Sequence, residues 1–203
     1  MTPVSRRTLL GAGLSGLALA AVPARAATPA ARQGAALLAL ARAGLVANAA
    51  HLPLADRVAI ADFSLPSRLP RFFLVSPGGG EARALLCAHG RGSDPTHSGM
   101  LQHFSNSDGS FATSEGTYLT RETYEGKHGA SMRLVGLDPS NDRAEARAIV
   151  IHGADYVTEA MAERMGKIGR SQGCFAFTRE ALPSVIAALG PGRLLLAGRF
   201  GIA

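Results

Sequence analysis

IGRSQGCFAF, residues 168–177, holds Cys174, one of only two cysteines in a chain of 203 residues. A glycine precedes the thiol, Arg170 and Ser171 lie just upstream, and Phe175 and Phe177 follow. Four readings are open: a small core residue, half of a disulfide with Cys87, a metal ligand, or a nucleophile. A glycine-flanked thiol between two helical patterns is placed to be presented on a loop, and a neighbouring Arg favours the thiolate. Cys87, by contrast, sits mid-strand in ALLCAHG (84–90), where any small apolar residue would serve. A nucleophilic cysteine needs a base, and the candidate is His152 in RAIVIHGADY (147–156). In a strand from Arg147, Val150 and His152 share one face, and Ile149 and Ile151 share the other. An imidazole closing an apolar strand before Gly153 suits catalysis at a sheet edge. A hydrogen-bonded structural histidine fits the same spacing.

The rest of the sequence narrows the class. Hydrophobic residues make up 47%, and the length suits one domain with a real core plus appendages. Residues 1–26, MTPVSRRTLLGAGLSGLALAAVPARA, have the three parts of an export signal: basic Arg6–Arg7, an apolar run from Leu9 to Val22, and Ala24-Arg25-Ala26 as a cleavage site. SRRTLL resembles the twin-arginine export motif. The apolar run is 14 residues long, shorter than the roughly 20 a membrane span needs, so no stable span is expected after processing. Without residues 1–26 the chain has 18 Lys+Arg against 15 Asp+Glu. That mild balance, with no Trp and no basic run interleaved with aromatics, argues against nucleic acid as a partner.

Beyond Ala26 the organisation is a helical lead-in over 27–57 followed by one domain over 58–203. AARQGAALLALARAGLVANAAH predicts a helix from about 31 to 50. Strands are predicted at 58–63, at 71–76 and 82–90 around the Gly-rich turn PGGGE, and at 117–124, 130–137, 147–153 and 192–200. Short helices are predicted at 157–166, ending at Gly166, and at 178–190, with Thr178 as N-cap and Pro183 disturbing the first turn. Many strands with two or three helices give a β-rich α+β fold. The long polar connection over 91–116 is of the kind that carries function, and its part from 102 to 116 is expected over or beside a cleft. His89, His97 and His103, with Asp94, match no common zinc spacing, and no P-loop or dinucleotide fingerprint appears, so neither metal nor cofactor is expected.

IVIHGADYV followed by GRSQGCFAF resembles the active-site segment of the L,D-transpeptidase catalytic domain, the YkuD-like family, through I-H-G, a spacer and S-x-G-C. IADFSLPS, AHGRGSD, FSNSDGS, YEGKHGASMRLVGLD and NDRAEARAIVIHGA resemble its murein L,D-transpeptidase branch, so the likeness runs in order over residues 58–200. Gln172 stands where many members have His, Ala176 where they have Arg or Asn, and Phe175 where the branch has Pro.

The resemblance implies a β-rich catalytic domain of mixed sheets, export to the periplasmic or cell-wall compartment, and peptidoglycan stem peptides as partners. It implies Cys174 as nucleophile, a thiolate paired with protonated His152, and a thioester that an amine resolves into a 3-3 cross-link. Backbone N–H groups of Gly173 and Cys174 would hold the oxyanion, Ser171 would shape the site, and Arg170, His128 and Tyr118 would contact substrate. Resolution by water would instead make an L,D-carboxypeptidase or endopeptidase. A non-catalytic wall-binding protein is the third possibility. The oligomeric state is not specified.

Overall fold

The computed structural model describes residues 28–202, and the proposed export signal lies outside the described residues. One eight-stranded mixed sheet carries three helices. Its strands are β1 (Val58–Asp62), β2 (Phe72–Val75), β3 (Ala82–Leu85), β4 (Gly116–Gly126), β5 (Gly129–Gly136), β6 (Val150–Gly153), β7 (Phe175–Phe177) and β8 (Leu194–Gly198). Their order across the sheet is β3-β2-β1-β8-β4-β5-β6-β7, antiparallel except at β1–β8 and β6–β7. The helices are α1 (Pro29–Ala47), α2 (Glu159–Met165) and α3 (Leu182–Leu189).

The continuous apolar runs of β1 and β8 follow from burial on both faces. Val58, Ile60, Leu194 and Leu196 point to one side with Phe73 and Val75, where Leu37 and Ala41 of α1 cover them. Ala59, Ala61, Leu195 and Ala197 point to the other, into a core with Phe63, Phe72, Phe175 and Phe177. Gly44 lets α1 come close, since a Cβ there would lie 2.9 Å from Leu196 Cδ1. Each large apolar side chain buried in this way contributes about 1.5–3 kcal/mol. The helix at the head of the domain is thus one of its layers.

The sheet closes on itself beside the cysteines. β3 and β7 are its two edges, and the segment after β3 runs on to meet β7. Ala88 N–H donates to Ala176 O at 2.8 Å, Ser171 N–H to His89 O at 2.9 Å, and Arg91 N–H to Ser171 O at 2.8 Å. The β7 edge is thereby covered by the segment that follows β3. The strand expected to reach residue 90 therefore ends at Leu85, and Cys87 lies past its end.

A buried Arg71 fastens the closing segment. Its Nε donates to Cys87 O at 2.9 Å, and Nη2 lies 2.7 Å from His89 Nδ1. A guanidinium only donates, so Nδ1 is the acceptor and His89 carries its proton on Nε2, 3.5 Å from Asp94 Oδ2. Burial, with Arg71 second, pushes the His89 pKa down to about 3, so the ring stays neutral.

Two other boundaries differ from the sequence expectation. Residues 178–181 form a turn, with Ala181 N–H donating to Thr178 Oγ1 at 3.1 Å, and α3 begins only at Leu182, with Pro183 in its first turn. β6 begins at Val150 because the chain before it turns. Ile149 N–H bonds Ala144 O, Ala148 N–H bonds Glu145 O, and Ala148 adopts φ +52°. That pair of bonds is the Schellman closure, here with alanine where glycine is preferred.

Candidate active site

β6 and β7 run parallel, with Ile151 opposite Phe175 and His152 opposite Ala176. Strand alternation sends Ile151, Phe175 and Phe177 into the core. It sends Val150, His152 and Ala176 to the other face, and Cys174, which immediately precedes β7, shares it. His152 and Cys174 are then diagonal neighbours on that face. Both line one cavity of about 420 Å³, with Asp108, Phe111, Tyr124, Lys127, His128, Arg147, Tyr156, Arg170 and Gln172 also on its walls.

The imidazole has a defined tautomer. His152 Nδ1 lies 2.9 Å from Gly153 O, and a carbonyl only accepts, so Nδ1 carries the hydrogen. The Nε2 lone pair has no hydrogen-bond partner among the described residues. His128, at the tip of the β4–β5 hairpin, stacks on the ring with centroids 4.2 Å apart and planes 18° apart. Burial, then His128 and Lys127, lower the His152 pKa, opposed by the Gly153 bond. Burial raises that of Cys174, opposed in part by Lys127 and Arg147. Burial thus favours the neutral form of each group. The thiol lies 3.5 Å from Ala148 O.

The loop before the thiol is fixed by small hydrogen bonds. Ser171, 4% exposed, donates through Oγ to Cys174 O at 2.7 Å and accepts from Gly173 N–H at 3.1 Å. The Gly173 N–H is thereby engaged, which removes one of the two expected oxyanion donors and leaves that of Cys174. Glycine at 173 answers a steric demand: its φ is +118°, and a Cβ would lie 2.8 Å from Ala112 O.

Arg147, in the turn before β6, holds the long connection. Its Nη1 donates to Ser105 O and Ser114 Oγ, both at 2.7 Å, and its Nη2 to Ala112 O at 2.6 Å and Ser110 Oγ at 3.1 Å. Asp108, Gly109 and Phe111 of the connection line the cavity as a braced wall.

The other candidates separate clearly. Arg170 lines the cavity and donates from Nη1 to Asp94 O and to Pro95 O at 3.3 Å. Tyr118 does not reach it: the side chain is fully buried, its hydroxyl donates to Ser114 O at 2.8 Å, and its ring packs edge-on against Phe175. It sits where strand alternation turns it inward, so its expected substrate contact is withdrawn. Phe175 points the same way and is not among the residues lining the cavity. Ala176 is fully buried in a cluster with Ala88 and Ala154.

Neither cysteine is in a disulfide. No group of three or more His, Cys, Asp or Glu among the described residues is arranged to hold a metal ion. Sequence reasoning missed Lys127, Arg147 and Tyr156. Tyr156 had a visible cue four residues after His152, in HGADY, and Gly169 lies against it, with Gly169 N–H donating to Tyr156 O at 2.7 Å.

A sequence model of the L,D-transpeptidase catalytic domain matches residues 31–197. The chain belongs to that family. No curated protein matches it. Among solved structures it is similar to an L,D-transpeptidase from Mycobacterium smegmatis, at 12% identity and a TM-score of 0.42, over 70% of this chain and 58% of that one. An L,D-transpeptidase from Mycobacterium tuberculosis H37Rv gives 14% and 0.44, over 70% and 57%. The helical cell shape determining protein Pgp2 from Campylobacter jejuni gives 13% and 0.43, over 82% and 56%. The chain thus spans less than two thirds of each of these solved chains. No helix among the described residues is long and apolar enough to cross a membrane.

Proposed function

We propose that this chain is an exported cysteine acyltransferase that acts on peptidoglycan stem peptides in the cell-wall compartment and forms 3-3 cross-links through a Cys174 thioester. The observation that carries the reading is the pairing of Cys174 with His152 on one face of two parallel strands, at a shared cavity, with the Nε2 lone pair of His152 free to take a proton.

In this reading the attack starts from a thiol and a neutral imidazole, and proton transfer accompanies it. The Sγ–H proton passes to His152 Nε2 as sulfur bonds the carbonyl carbon between the L-centre of a diamino acid and a D-amino acid. The Cys174 N–H stabilises the oxyanion. The C–N bond breaks, the leaving amine takes the proton from Nε2, and a thioester remains. An acceptor amine then attacks, gives its proton to Nε2 and forms the new amide, and the departing sulfur recovers that proton. Ser171 holds the loop in shape, Gly173 allows its close approach, and His128 holds the plane of the His152 ring. Arg170 faces the substrate.

Muropeptides incubated with the protein lacking residues 1–26 and read by mass spectrometry test this. Cross-linked dimers that require Cys174, with loss of one D-amino acid per bond formed, are expected. Tripeptide as sole product assigns a hydrolase in its place, and unchanged muropeptides reject both.

A further inference from the structure

The cavity beside Cys174 is rich in cations without counter-ions. Lys127, Arg147 and Arg170 line it. All four hydrogen bonds of Arg147 go to carbonyl or hydroxyl oxygens, and those of Arg170 go to carbonyls. Lys127, at the β4–β5 hairpin tip, forms neither a hydrogen bond nor an ion pair with a side chain among the described residues. The one carboxylate on the walls is Asp108, and Arg143, from outside the cavity, already clamps it. Residues 1–27 and 203 contain no acidic side chain that could neutralise the site.

Elsewhere some surface cations are paired, Arg179 with Asp155, Arg193 with Asp56 and Arg133 with Glu122. Inside the cleft that holds the thiol, none of the three cations is in an ion pair among the described residues. Burial lowers the Arg147 pKa, and the opposing pull of Tyr118 and of Asp108 does not cancel it. A cleft lined by one sign of charge concentrates ligands of the other.

We propose that this cavity is a carboxylate-binding subsite, in which Lys127 and Arg170 take free carboxylates of a peptide and the braced Arg147 supplies a fixed positive field. The roles differ because the hydrogens do. Both Nη atoms of Arg147 are committed to the 105–114 wall, whereas the Lys127 ammonium and the remaining N–H groups of Arg170 are open to a ligand. The identification of the peptide as a stem peptide rests on the function proposed above. The subsite adds a selection within that class: stems whose acidic and diamino-acid carboxyls are free, over stems in which they are amidated. A carboxamide keeps the shape and loses the charge.

Binding to Cys174→Ala protein tests this without turnover. Two synthetic tetrapeptides, identical except that the side carboxyls are free in one and carboxamides in the other, are titrated by calorimetry at low and high salt. The free acid is expected to bind at least tenfold more tightly at low salt, with the gap narrowing as salt screens it. Lys127→Gln, an exposed hairpin-tip change, should shrink the gap several-fold, and Arg170→Gln should do so independently. Equal or tighter binding of the amidated peptide overturns the subsite, as does a gap indifferent to both substitutions. If the wild-type protein turns over neither peptide, the acyltransferase reading fails, while the binding difference still decides the subsite.

Discussion

The two cysteines sit on the two segments that close the sheet, one residue before Ala88 and two before Ala176, which pair with each other. Cys87 belongs to the core with Phe63, Phe72 and Phe175, is 0% exposed, and burial pushes its pKa up to about 12. Cys174 opens onto a cavity with an imidazole lone pair and three cations around it. Burial raises its pKa too, opposed by the Val150 N–H, Lys127 and Arg147, as Arg71 opposes the rise at Cys87. Reactivity follows from what faces the sulfur, and the strand alternation that turns one thiol inward and the other outward decides that.

The sharpest way to break this comparison is to remove each thiol in turn. Cys174→Ala should abolish turnover, a loss of at least 10³-fold, with the thermal midpoint nearly unchanged. Cys87→Ala should keep turnover within about threefold and cost on the order of 1 kcal/mol, as for deletion of one buried heavy atom. Steady-state product formation and thermal unfolding measure the two effects. Equal loss of activity in both variants would mean that the sulfurs act together.

A second way is to titrate them. Burial disfavours the thiolate, so the Cys174 alkylation curve should lie to the high-pH side of an ordinary thiol of pKa about 8.5, with the rate rising as pH rises. Cys87 should stay unlabelled in the folded protein throughout. His152→Ala should leave the slow resting alkylation within a few-fold, because neutral imidazole holds no thiolate, yet cut substrate acylation by about 10²–10⁴-fold, the usual worth of a general base. Mass-resolved labelling with iodoacetamide against pH, beside acyl-enzyme formation, separates the two. Fast alkylation at pH 7 that collapses in His152→Ala would restore the ion pair.

Much of this arrangement is legible in the residues. β1 and β8 read as strands because both their faces are buried, and the I-H-G and S-x-G-C segments marked the two members of the pair. β7 was not legible: three residues after a glycine give too short a pattern, and its partners are β6 and the far-off Ala88. Tyr118 misled because an aromatic in a half-exposed strand reads alike on either face until the register is known. Arg147 gave no signal at all. Its acceptors lie 33 to 42 residues upstream, in a connection whose sequence is merely small and polar.

The smallest effect concerns the turn that feeds β6. Ala148 holds φ +52° at the position of a Schellman closure where glycine carries no Cβ penalty. The left-handed conformation costs an alanine about 1–2 kcal/mol, and glycine loses about 0.5–1 kcal/mol more chain entropy on folding. Ala148→Gly should therefore stabilise the protein by a net of about 0.5–1 kcal/mol, read as a raised denaturant midpoint at constant slope. The same residue offers the carbonyl 3.5 Å from Cys174 Sγ. If the closure is fixed by its two backbone bonds, that carbonyl stays in place and the alkylation profile of Cys174 does not move. A gain in stability with an altered profile would mean that the methyl of Ala148, on the cavity wall, helps to bury the thiol, and that the raised pKa of Cys174 is set from the β6 side. A loss of stability would show that the turn is held by the packing of that methyl rather than by its hydrogen bonds.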